Sequence, residues 1–106
     1  MKMTLALFFA LLVSFETMAD VRLPKVFGEN MVFQRNQIIS VWGWAGANEK
    51  VLVAFNKQIK VTRADKKGKW LVQLAPESAG GPFQLIVKGN NQIVINNILV
   101  GEVWVC

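Results

Sequence analysis

The chain has 106 residues, 53% of them hydrophobic, with one cysteine, four tryptophans, no histidine and no tyrosine. Its 12 Lys+Arg against 7 Asp+Glu give a formal charge of +5. A single cysteine excludes an internal disulfide, and the lack of histidine excludes any Ser-His or Cys-His pair.

Lys2 gives the chain a short positive start, and Leu5 to Phe15 is an uncharged apolar run. Thr17-Met18-Ala19 then places small residues at the two positions a signal peptidase reads. This is the order of a secretory signal. The apolar run is about half the ~20 residues that a spanning helix needs, which weighs against a retained anchor or a buried helix. Glu16 is the one residue out of character. Residues 1–19 are expected to be removed after Ala19, leaving an exported product, periplasmic or extracellular, with no stable membrane anchor. Losing Lys2 and Glu16 together leaves the charge balance unchanged.

Residues 20–100 read as one small domain. Short apolar runs alternate with turn clusters, the rhythm of an antiparallel all-β sandwich of jelly-roll or immunoglobulin-like type. Val21-Arg22-Leu23 precedes Pro24, and Gly28-Glu29-Asn30 turns into Met31-Val32-Phe33-Gln34. Arg35-Asn36-Gln37 turns again into Ile38 to Ala45. Gly46-Ala47-Asn48-Glu49 leads to Lys50 to Phe55, which predicts an inward face of Val51, Val53 and Phe55. Asn56-Lys57 is a two-residue hairpin tip, because Asn tolerates positive φ. Gln58 to Arg63 alternates strictly, and Ile59 and Val61 are expected inward.

Asp65-Lys66-Lys67-Gly68 predicts a second hairpin turn before Lys69 to Leu74, whose inward face is Trp70, Val72 and Leu74. The loop Ala75 to Pro82 is expected to cross between sheets. Phe83, Leu85 and Val87 form the next inward face, and Gly89-Asn90-Asn91 turns into Gln92 to Ile95. Asn96-Asn97 then interrupts before Ile98-Leu99-Val100, and Gly101 is the expected boundary of the domain.

The lysines are scattered over turns and polar strand faces, and only Lys66-Lys67-Gly68-Lys69 clusters. That distribution fits a solvated surface, not a nucleic-acid site. Ser40 and Ser78 lack the glycine-flanked setting of a nucleophile elbow. No metal is expected: Asp65 with Gly68 lacks the oxygen ligands of a calcium loop, and a zinc site needs more Cys, His or carboxylate ligands. Gly80-Gly81 precedes Pro82 and no helix, so it cradles no phosphate. Cys106 reads as a small buried hydrophobe. Trp42, Trp44 and Trp70 could stack on sugars, but core packing is the favoured role. No catalytic, cofactor-binding or metal-binding residue is assigned anywhere in the chain.

Several stretches resemble the sialate O-acetylesterase family. They are Leu23-Pro24-Lys25-Val26-Phe27, Asn30 to Arg35, Val41-Trp42-Gly43-Trp44-Ala45, Gly68-Lys69-Trp70, Ala79 to Phe83 and Val100 to Cys106, in the family's order. Phe33 departs mildly, since the family often has Leu there. The resemblance implies an exported carbohydrate esterase acting on O-acetylated sialic acid or another acetylated glycan. It implies an N-terminal β-sandwich before an α/β catalytic domain of the SGNH type, whose first strand would begin at residues 101–106. On this reading the chain is truncated just before a Ser-Gly-Gln-Ser-Asn block, and the serine nucleophile and its histidine lie beyond it. No nucleic-acid partner and no cofactor are expected. The alternative is a stand-alone carbohydrate-binding or adhesin-like module.

Overall fold

The computed structural model describes residues 20–102. Residues 1–19, where the signal is expected, and Val103–Cys106 lie outside the described residues. Every helix or strand within that span is a strand, so the fold is all-β. The strands are β1 (Val32–Gln34), β2 (Ile39–Trp44), β3 (Lys50–Phe55), β4 (Gln58–Arg63), β5 (Lys69–Leu74), β6 (Gly80–Lys88) and β7 (Gln92–Gly101). They form a five-stranded sheet in the order β1-β7-β6-β3-β4 and a two-stranded sheet of β2 and β5.

Alternation of apolar and polar residues decides which side of each strand is buried. Val51, Val53 and Phe55 of β3 are all at 0% exposure, and so are Leu85 and Val87 of β6. They share one cluster with Ile39 and Val41 of β2 and with Trp70, Val72 and Leu74 of β5. Both sheets therefore contribute to a single core. Phe27, Phe33, Phe55 and Phe83 thread it as edge-to-face neighbours, with centroids 6.5, 5.3 and 5.4 Å apart in turn. That geometry suits the ring quadrupole. A fully buried side chain such as Phe55 contributes about 1.5–3 kcal/mol.

Several elements depart from the sequence reading. The larger sheet is not wholly antiparallel: β1 runs parallel to β7, with Phe33 opposite Val100. Parallel neighbours need a long crossover, and here the rest of the domain supplies it. Ile59 and Val61 are not inward; they are 66% and 53% exposed. The tight β3–β4 turn, with Asn56 at φ 54°, sets Phe55 directly opposite Gln58. Residues 58, 60 and 62 therefore share the face of the buried β3 side chains, and 59 and 61 take the other.

The turn Asp65 to Gly68 closes no hairpin, because β4 and β5 belong to different sheets. Asn96-Asn97 does not end a strand. It lies inside β7 opposite a register shift in β6, and Asn97 has φ 58°. The bulge resets the alternation, so that Ile95 and Ile98 are both buried. The crossing between sheets is shorter than the sequence implies, since Gly80 to Pro82 already belong to β6.

One end of the domain is tied by side chains. The Asn91 amide brackets Val21, its Oδ1 accepting from the Val21 N–H at 2.6 Å and its Nδ2 donating to the Val21 carbonyl at 3.2 Å. Glu49 accepts from the N–H of Gly46 at 2.9 Å and of Asn90 at 2.6 Å, joining two loops.

Candidate functional site

The two-stranded sheet presents the most distinctive surface. Its register pairs Trp42 with Leu71, Gly43 with Trp70 and Trp44 with Lys69. Val41 and Gly43 take the inner face, so Trp42 and Trp44 take the outer one. They are 42% and 37% exposed, and this corrects the expectation that they pack in the core. Trp70 does pack there, at 4% exposure. Its indole Nε1 is buried without a hydrogen-bond partner among the described residues.

Neighbours hold both outer tryptophans in place. The ring of Phe27 meets Trp42 edge to face, with centroids 4.8 Å apart. Arg22 runs antiparallel beside Trp44, exchanging backbone hydrogen bonds of 2.8 and 2.9 Å with it. The Arg22 guanidinium lies 5.8 Å from the centroid of the Trp44 ring, within cation–π range.

Beside the tryptophans is a groove of about 530 Å³. Trp42, Trp44 and Leu71 form its apolar wall, and Arg63, Asp65 and Lys69 its charged one. The buried pair Gly43 and Trp70 lies at its base. Asp65 Oδ1 accepts the N–H groups of Lys67 at 2.8 Å and Lys69 at 2.9 Å. The Lys69 N–H bond is the main reason its carboxyl is held below the ordinary carboxylate range, with the Lys67 bond and both ammonium charges adding. Arg63 Nη1 donates to the Asn48 carbonyl at 3.1 Å.

Such a surface can stack a flat ligand and can both donate and accept hydrogen bonds. Ser40 lies on β2 and Ser78 in the crossing before β6. Among the described residues no three Cys, Asp or Glu side chains gather as metal ligands would. Asp65 and Gly68 do form the expected turn, closed by the Gly68 N–H donating to the Asp65 carbonyl at 3.0 Å.

No family model matches the chain, and no curated protein does. Among solved structures, a carbohydrate acetylesterase from Xanthomonas citri matches with 36% identity and a TM-score of 0.78 over 79% of this chain. The chain resembles one part of a carbohydrate acetylesterase. It covers 20% of that enzyme's length, about a fifth.

Proposed function

We propose that this chain is the non-catalytic N-terminal β-domain of an exported carbohydrate esterase that removes O-acetyl groups from sialic acid or related glycans. The carrying observation is the 36% identity to a carbohydrate acetylesterase over 79% of the chain, with only 20% of that enzyme covered. A match so long on one side and so short on the other is what a single domain of a larger enzyme gives. The blocks shared with sialate O-acetylesterases support the narrower substrate, and the signal-like residues 1–19 support export.

Acetyl transfer by a serine enzyme needs an activated hydroxyl, a base and an oxyanion hole. This chain has no histidine to serve as base. In the proposed enzyme that chemistry belongs to an α/β unit following residues 20–100, and the β-domain flanks its cleft. The test is acetate release from O-acetylated sialic acid and from acetylated plant oligosaccharides. The assay compares the complete gene product with the 106-residue chain alone. Release by the complete product and none by the chain is the expected result. A complete product that releases no acetate from either substrate would sink the reading.

A further inference from the structure

We propose that the groove on the outer side of β2 and β5 is a glycan-binding site, where a pyranose ring lies on Trp42 and Trp44 and its hydroxyls meet Arg63, Asp65 and Lys69. The site is argued from its own residues and does not depend on the esterase reading.

A sugar ring has an apolar C–H face and a rim of hydroxyls that both donate and accept. A site for it needs an aromatic surface with donors and an acceptor close by. The groove has all three. Two indoles, two residues apart on β2, open to the same side. Phe27 and Arg22 already hold them, so binding orders little that is not ordered beforehand. The Lys69 ammonium makes no hydrogen bond or ion pair among the described residues, though its charge acts on Asp65, while Arg63 has spent one Nη1 bond on Asn48. Asp65 uses Oδ1 on its own turn and leaves Oδ2 to accept. The groove volume of about 530 Å³ falls in the ~300–1,000 Å³ range of small-ligand sites, which are mostly apolar with a few placed polar groups.

Other ligands suit these residues less well. A lipid or an apolar peptide would cover Asp65, Arg63 and Lys69 and offer them no partners, which is costly. Single-stranded nucleic acid would use the tryptophans and the cations. It would also bring phosphates against the Asp65 carboxylate, which lies within the same groove.

The experiment is calorimetric titration of the full chain with cellohexaose, which is neutral, and with sialyllactose, which is acidic. Saturable binding of at least one is expected. Trp42→Ala and Trp44→Ala should each weaken it about tenfold or more, the loss typical of a truncated aromatic anchor. Trp42→Phe should keep most of it, and circular dichroism should show all variants folded. The difference between the two saccharides reads out whether Arg63 and Lys69 add an ionic contact. No binding of either saccharide overturns the proposal. So does binding that both alanine variants leave unchanged. So does a groove that takes up oligo-dT, with the same sensitivity to the variants, in place of sugar. Acetate release by the complete gene product is measured separately, so the glycan site can fail while the esterase reading stands, and the reverse.

Discussion

Gly43 shows why a glycine separates Trp42 from Trp44. A Cβ there would collide with the backbone carbonyl of Arg22 and press on the Trp70 ring. Gly43→Ala is therefore expected to lower stability by about 1–3 kcal/mol, the usual cost of overpacking. Amide exchange at Arg22 and Trp44 should speed up at the same time, because their paired backbones must part. Trp70→Ala should cost about 3–5 kcal/mol. Trp70→Phe should cost clearly less, since it keeps most of the buried ring and drops the unpartnered Nε1. Urea midpoints of the two variants give the comparison. Asp65 makes a separate, pH-dependent prediction. Its folded carboxyl is held below the ordinary range, chiefly by the Lys69 N–H. Its contribution is present above the unfolded pKa and is lost as pH falls through the lower, folded one. The amide shifts of Lys67 and Lys69 should titrate together, with a midpoint below the ~3.9 of free aspartate.

Among the elements, β3 and β5 were legible because each alternates and each buries its apolar set: Val51, Val53 and Phe55, then Trp70, Val72 and Leu74. The β4 strand was equally legible as a strand, but its inward face was read the wrong way round. The missed signal was in the sequence. A two-residue turn after Phe55 puts Gln58 on the Phe55 side, so Ile59 and Val61 cannot also be there. Gln58 instead ties this hairpin to the next crossing, accepting the Ala75 N–H at 2.7 Å and donating to the Ala75 carbonyl at 3.0 Å. Val61→Lys is thus expected to change stability by no more than about 0.5 kcal/mol, whereas Leu85→Ala should cost about 2–5 kcal/mol. Thermal melts of the two variants separate these outcomes. A charge on the exposed β4 edge should also reduce self-association, as charged edges do elsewhere. The bulge at Asn97 was harder to foresee. Two asparagines look like a turn, and only the opposing strand shows that pairing resumes after them.

At the scale of the whole molecule, an all-β fold could be anticipated from strand rhythm, but the membership of each sheet could not. Nothing in Asp65 to Gly68 says whether the next strand pairs with β4 or crosses to β2. That choice is made by packing, as Trp70, Val72 and Leu74 are buried beside Val41 and Ile39. The groove escaped the sequence reading for the same reason. Two tryptophans flanking a glycine look like core until the register shows that the glycine faces inward. The chain alone should hydrolyse neither an activated acetyl ester nor O-acetylated sialic acid above background. Turnover that disappears in Ser40→Ala or Ser78→Ala would reveal a site this structure does not suggest. The parallel β1–β7 pair has a mechanical consequence. Because the two strands run the same way, a tension drawn between the start of β1 and the end of β7 slides them lengthwise instead of unzipping them. The Val32–Leu99, Phe33–Val100 and Gln34–Gly101 positions share that load together, along with the Arg35–Glu102 ion pair at 2.7 Å. The domain is therefore braced against being stretched along this line.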